Sequence, residues 1–264
     1  DRRQFADLCA RLGVDVPPSR TATSADEAVA AARDIGYPLM LRPSFVLGGE
    51  GMAIVWNEAE LLTRITTAMR VTEDSPLLLD RFLEDALELD LDVLADGTDV
   101  HPCGILEHIE PAGVHSGDSM QVFPAQHVTP EEEARMVEIA RQMARELGAI
   151  GLMNLQFARA DGRLYLLEVN PRASRTVPFL HKASGAPWAR LAARLMGVEP
   201  GKCAYLGDNP IRDEEGTRAA GYGMFILFEE PATLAKEPAA NVAIKADHTV
   251  RTCRELLDIF PPRN

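Results

Sequence analysis

The sequence predicts an α+β protein, long enough for two lobes and closed by a small α/β unit, with the division between residues 201 and 202. Three observations carry this. Two segments read as β-hairpins: "ALELDLDVLADGTDVHPCGILEHI", turning near Asp96-Gly97, and "GLMNLQFARADGRLYLLEVNP". Around them lie amphipathic stretches that open on a cap residue and close on glycine. After residue 201 the pattern becomes strand, acidic loop, helix, strand in "KCAYLGDNPIRDEEGTRAAGYGMFILF", the signature of a β-α-β crossover.

Residues 1–12 form a short helix stopped by Gly13, and "VDVPPSRTAT" runs extended through two prolines. Ser24 caps "SADEAVAAARDIG", with Glu27 three residues on completing a capping box and Gly36 as the stop. "YPLMLRPS" is a strand, "FVLGGEGM" a glycine-rich turn and "AIVW" the return strand. Asn57 caps the helix "NEAELLTRITTAMRV", and "PLLLDRFL" is again a strand. Along the first arm of the first hairpin, Glu88, Asp90 and Asp92 share one face, and Leu87, Leu89, Leu91 and Val93 the other. "TPEEEARMVEIARQMARELG" is a strong helix, with Thr129 as cap, Pro130 at its first position and Gly148 at its stop. A short helix follows near "PWARLAARLMG".

Composition is that of an ordinary soluble globular protein, 46% hydrophobic and 25% charged. A formal charge of −13 argues against a general nucleic-acid coat or an anionic membrane surface. It leaves room for a phosphate-bearing small molecule, which local arginines would hold. Cys9, Cys103, Cys203 and Cys253 show no C-x-x-C spacing, which speaks against a zinc site and a disulfide scaffold. No apolar run approaches the ~20 residues of a membrane span. The opening "DRRQFADLCARLG" reads as an amphipathic helix rather than a signal peptide, so the expected compartment is reducing and cytoplasmic.

The chemistry concentrates in residues 164–179, "LYLLEVNPRASRTVPF". Side chains two apart on a strand point the same way, so Glu168 and Asn170 project together. Gln156, on the preceding arm, is the nearest candidate to join them. An odd number of unpaired loop residues around 160–163 would set Gln156 opposite Glu168. A two-residue Asp-Gly turn would pair it with Leu167 and point it away. The expectation is the odd pairing, through the loop or a bulge. Three oxygen ligands on one face suit Mg²⁺, which fills its shell with phosphates and water. From this stretch alone, Glu168 serves equally well as a cap on backbone groups at the strand end.

Arg172 and Arg175 could face phosphate oxygens, whose geometry the guanidinium fork matches; surface ion pairing is the competing reading. Arg42 stands just before "VLGGEGM", where glycines let backbone N–H groups approach phosphate. "GVEPGKC" looks like a phosphate-binding loop, but it has too few residues between its glycines and ends on Cys203.

Several collinear segments closely resemble the carbamoyl phosphate synthase large-subunit family: "DRRQF", "GYPLMLRPSFVLGGEGM", "FLEDALELDLDVLADG", "EHIEPAGVHSGDS", "GLMNLQFA" and "LEVNPRASRTVPFLHKASG". The resemblance covers residues 1 to about 199 and is to the second, carbamate-phosphorylating half. It implies an ATP-grasp fold, with ATP between two α+β lobes. By position, Arg42 resembles the arginine on the ATP phosphates, and Arg81, Leu83 and Glu88 the segment that meets adenine and ribose. Gly113, Val114, His115 and Ser116 resemble the loop lining the nucleotide pocket. Gln156, Glu168 and Asn170 resemble the ligands of Mg²⁺ (or Mn²⁺), and Arg172 and Arg175 the arginines at the transferred phosphoryl group. Arg2 resembles an arginine at the domain entrance.

The implied reaction is attack of carbamate oxygen on the γ-phosphate of ATP, giving carbamoyl phosphate and ADP, in pyrimidine and arginine biosynthesis. No general base is needed, because carbamate is already anionic. The implied partners are a bicarbonate-phosphorylating half and a glutamine amidotransferase subunit. Two features depart from the pattern. Glu50 follows Gly48-Gly49 where the family commonly has a cation or a small residue. Residues 203–264 resemble instead the C-terminal, Rossmann-like part of a haloacid-dehalogenase-type phosphatase. There Asp208 and Asp213 would help hold a metal, but no nucleophilic aspartate motif precedes them. The expectation for Asp208 is a cap on the next helix or an ordered Asn209-Pro210 turn.

Overall fold

The computed structural model describes residues 2–43, 53–71, 77–110, 119–209, 212–229 and 246–261. By contacts the chain forms two compact units. The first comprises Asp1–Leu91, Ile105–Gln142 and Leu155–Val169, the second Asp92–Gly104, Met143–Asn154 and Asn170–Asn264.

The first unit contains helix α1 (Arg2–Leu12), strand β1 (Ser19–Ala22), α2 (Ala25–Ile35), β2 (Leu39–Pro43), β3 (Ala53–Val55), α3 (Glu58–Val71) and β4 (Leu77–Arg81). The four strands form an antiparallel sheet in the order β1-β4-β2-β3. One face of that sheet is covered by two helices. Ala28 and Ala32 of α2 and Leu61 and Ile65 of α3 pack on Leu39, Leu41, Val55, Leu77 and Leu79. The helices begin where capping chemistry puts them. Ser24 Oγ accepts from Glu27 N, and the Glu27 carboxylate accepts in return from Thr23 N and Thr23 Oγ1. Asn57 Oδ1 accepts from Glu60 N, and Glu60 accepts from Trp56 N.

Five further strands follow: β5 (Leu87–Asp96), β6 (Val100–His108), β7 (Gln121–Val122), β8 (Ile150–Ala160) and β9 (Arg163–Asn170), with α4 (Pro130–Leu147) between β7 and β8. Their sheet order is β7-β6-β5-β8-β9. The turn after β5 is fixed by the Asp96 carboxylate, which accepts from Asp99 N, Thr98 N and Thr98 Oγ1 at 2.7–2.8 Å. Those donors, Asp99 N foremost, pull its pKa down to about 2. Thr129 and Glu132 form the reciprocal box that opens α4.

The contacts between β5 and β8 define their relative direction. Ala86 clusters with Ala158 and Ala160, and Asp92 bonds Asn154. The partners run in opposite order along the two strands, so the pair is antiparallel, and Gln156 shares a face with Asp90. The face carrying Glu88, Asp90 and Asp92 is not the solvated one that its charge suggests: Asp90 and Asp92 are 3% and 1% exposed.

After β9 come α5 (Val177–Ser184), a helix that the proline at position 178 concealed, and α6 (Trp188–Leu195). The end of the chain forms β10 (Ala204–Gly207), α7 (Arg212–Ala220), β11 (Met224–Phe228), β12 (His248–Val250) and α8 (Leu256–Ile259). Its three strands are parallel, in the order β10-β11-β12, as a crossover requires. Phe225, Ile226 and Leu227 of the central strand are buried, whereas Tyr205 and Leu206 of β10 are exposed. This sheet is tied to α6: Arg190 donates to the carbonyls of Ala219 and Ala220, and Tyr222 Oη to that of Ala189. All four cysteines are free thiols, and burial raises Cys9 to about 11. Among the described residues no helix is long and apolar enough to cross a membrane.

Candidate active site

The strand carrying Glu168 and Asn170 is β9, which buries Leu166 and then exposes Glu168. The two side chains lie two residues apart and project to one side. Gln156 is not brought to them by the loop. The β8–β9 turn has two residues, Asp161 and Gly162, both with positive φ (50° and 71°), the geometry of a tight hairpin turn. Ala158 and Ala160 accordingly share a cluster with Tyr165 and Leu167. The expected odd loop is therefore corrected. In an unbroken ladder Gln156 faces Leu167, and a bulge between the turn and the Gln156–Glu168 pair would be needed to return Glu168 to the side of Gln156. Leu83, in the loop before β5, packs in the same cluster.

The face of β5 that carries Glu88, Asp90 and Asp92 holds a buried polar network which the sequence reading missed. Asp90 Oδ2 accepts from His108 Nε2 at 2.8 Å and from Gln121 Nε2 at 2.7 Å, and Glu88 Oε2 stands 3.5 Å from His108 Nδ1. Asp90 Oδ1 is buried and has no hydrogen-bond partner. Burial by itself would lower the His108 pKa, but the bond to Asp90 and the charges of Asp90, Glu88 and Glu110 outweigh it, and the net shift is upward. A raised folded-state pKa contributes stability that is complete below the ordinary histidine value and is lost as pH rises through the raised one. His108→Gln should therefore lower the melting temperature more at about pH 6 than at about pH 9; an equal loss at both would mean that His108 is neutral in the folded protein.

Arg42, on β2, pairs with Asp80 of β4 (Nε to Oδ2, 3.1 Å), and Asp80 is 3% exposed. Met40 lies opposite Asp80, so Arg42 is diagonal to it on the same face. Arg81 lies opposite Leu39 and belongs to the other face, where its Nη1 donates to the carbonyl of Tyr37. The sheet thus separates two arginines that the sequence placed near one nucleotide. Gly36 turns the chain there at φ 84°, a conformation that strains other residues, and a Cβ would also press on Arg81 Nη1 at 3.1 Å. Gly113, Val114, His115 and Ser116, and the glycine-rich segment at 44–52 with Glu50, lie outside the described residues.

Beyond β9, Arg172 and Arg175 are exposed, and Arg172 Nη1 donates to the carbonyl of Ala173. The backbone that carries them is anchored. Ser174 Oγ and Thr176 Oγ1 both donate to the carboxylate of Asp92, which also accepts from Asn154 Nδ2 at 3.1 Å. In the C-terminal unit Asp208 is exposed, and the Asp213 carboxylate reaches back along the chain: its Oδ2 accepts from Asn209 N at 3.0 Å. Gly207 permits this approach, since a Cβ there would lie 2.3 Å from Asp213 Oδ2. Among the described residues no three His, Cys, Asp or Glu side chains gather as a metal site. Glu168 and Asn170 offer one carboxylate and one amide, hard oxygen donors that fit Mg²⁺ completed by phosphate and water.

Comparison with known proteins decides the family. The family described as "Carbamoyl-phosphate synthase L chain, ATP binding domain" matches residues 1–200. The chain belongs to that family. The large chain of carbamoyl phosphate synthase from Methanospirillum hungatei is 48% identical over 230 residues, 87% of this chain and 21% of that protein. Its extent carries the similarity past residue 200. The Vibrio cholerae large chain is 50% identical over 196 residues, 74% of this chain and 18% of that one. The chain thus spans about a fifth of the length of the relatives it matches. Among solved structures, the biotin carboxylase domain of Hydrogenobacter thermophilus 2-oxoglutarate carboxylase aligns with TM-score 0.62 at 24% identity, covering 73% of this chain and 44% of that one. Campylobacter jejuni biotin carboxylase aligns with TM-score 0.62 at 22% identity, covering 75% and 45%. These likenesses establish the ATP-grasp fold that the sequence implied.

Proposed function

We propose that the chain is the carbamate-phosphorylating ATP-grasp unit of a carbamoyl phosphate synthase and transfers the γ-phosphoryl group of ATP to carbamate. The observation that carries this is the end of β9: an exposed Glu168 and a half-buried Asn170 at the end of a largely apolar strand, followed at once by two arginines on an anchored segment. Support comes from the family match over residues 1–200 and from the Hydrogenobacter structure, which is a complex with MgADP and bicarbonate. In this reading Glu168 and Asn170 hold Mg²⁺ (Mn²⁺ being the alternative), and the Gln156 amide joins them across a bulge. The metal supplies charge neutralisation between the phosphates. Arg42 approaches the phosphates from β2. Asp80 orients its guanidinium and tempers its charge. Leu83 and Glu88 meet the adenosine, with Arg81 supporting that segment from behind, and Gly113–Ser116 line the pocket. Arg172 and Arg175 orient the phosphoryl group and neutralise charge as it transfers. Residues 1–201 form the ATP-grasp domain, and residues 202–264 form a small Rossmann-like unit without phosphatase chemistry. Carbamate comes from a bicarbonate-phosphorylating half fed by a glutamine amidotransferase, in the cytoplasm.

That the chain is a fifth of its relatives' length favours a second reading: a nucleotide-binding module that turns over only with its partner domains. One assay separates the two. ADP formation should require both Mg²⁺ and carbamate. MgATP binding without ADP formation supports the module, and absence of any nucleotide binding defeats both.

A further inference from the structure

Asp92, which anchors the segment after β9, is 1% exposed, and its carboxylate collects three side-chain donors. Asn154 Nδ2 lies 3.1 Å from Oδ1 and Ser174 Oγ 2.7 Å from the same oxygen, while Thr176 Oγ1 bonds Oδ2. The two hydroxyls also meet each other at 2.5 Å, and Ser174 Oγ accepts from Thr176 N at 3.3 Å. A buried anion keeps its charge only where such donors converge, and it then holds them firmly.

The helix start shows what this arrangement displaces. Thr176 is the N-cap of α5, a position where threonine ordinarily turns its oxygen to the helix's own free N–H groups. Here it makes no such bond, and its hydroxyl goes to Asp92 instead. Local helix chemistry is thus overridden for a contact to a residue 84 positions earlier in the chain. The two anchored residues, Ser174 and Thr176, flank Arg175 on both sides.

We propose that Asp92 is a positioning residue for the phosphoryl-transfer arginines: through Ser174 and Thr176 it fixes the backbone of Arg175 so that the guanidinium meets the terminal phosphate without a search. The proposal rests on the function proposed above. Displacement of a catalytic group by about 1 Å can cost on the order of 100-fold in rate, so the clamp has work to do although it touches no substrate.

The test is binding of a non-hydrolysable MgATP analogue against MgADP by calorimetry on the whole chain, with ADP formation as second readout. Thr176→Val keeps the shape and removes the donor. It should lower the preference for the triphosphate by about tenfold and turnover by on the order of 100-fold, leaving MgADP affinity, which reports the folded pocket, unchanged. Thr176→Ser should restore both. Ser174→Ala, which deletes a single hydroxyl, should give the same direction if the valine variant fails to fold. Arg175→Ala should abolish the triphosphate preference, and adding Thr176→Val to it should change nothing further. If Arg175→Ala abolishes the preference and Thr176→Val and Ser174→Ala keep it, the clamp is only structural and the inference is overturned alone. If Arg175→Ala leaves the preference intact, the role proposed for the arginine fails and the inference falls with it.

Discussion

Replacing Glu168 with Gln should weaken MgATP binding by about 100-fold, roughly 3 kcal/mol, and remove its dependence on Mg²⁺. The substitution keeps the size and one oxygen but removes the only carboxylate in the proposed ligand set. A neutral amide holds the cation less firmly than a carboxylate, so less of its charge neutralisation would reach the phosphates. Titrating the chain with ATP at fixed Mg²⁺, and again with a chelator, measures both effects. An exposed carboxylate of helix α4, Glu133, supplies the control as Glu133→Gln and should be silent. Asp90 cannot serve as a control, although it sits on the acidic arm of β5. Its buried bonds to His108 and Gln121 make its loss a core defect. If wild type and Glu168→Gln bind MgATP equally, the metal assignment at the end of β9 is wrong.

Phe225→Ala should destabilise the C-terminal unit by about 3–5 kcal/mol while leaving nucleotide affinity within a factor of two or so. Phe225 is wholly buried in the central strand of the parallel sheet. Its backbone is also gripped by Asp247, whose Oδ2 accepts from Phe225 N at 2.7 Å and from Arg218 at 3.0 Å. A small sheet with an exposed β10 edge has little other apolar burial to absorb such a loss. Unfolding followed by two probes, far-ultraviolet dichroism for the whole chain and nucleotide protection for the ATP-grasp domain, should separate into two transitions. If nucleotide affinity collapses with the ATP-grasp domain still folded, residues 202–264 belong to the active site and the division at 201/202 is wrong.

Local signals were legible where a few adjacent residues decide the outcome. The caps Ser24, Asn57 and Thr129 begin helices within a residue of the expected positions, because an orphan N–H is satisfied by the nearest side-chain oxygen. Gly97 and Gly162 mark the turns, since their positive φ is open to glycine at little cost. The crossover after residue 201 was visible because a parallel pair demands an intervening helix. The α5 helix was not, because its cap side chain is spent elsewhere and Pro178 reads as a break.

Alternation along β5 by itself determined that Glu88, Asp90 and Asp92 share a face, and the two-residue spacing determined that Glu168 and Asn170 project together. Neither pattern told what would cover those faces. Only the tertiary structure decided that Asp90 meets His108 and Gln121, that Arg42 meets Asp80 while Arg81 turns to the opposite face, and that Asp92 captures Ser174 and Thr176. The physical reason is the same in each case. Strand periodicity is a property of the backbone and is written locally, whereas a buried charge is stable only with donors that the fold brings from 18 to 84 residues away.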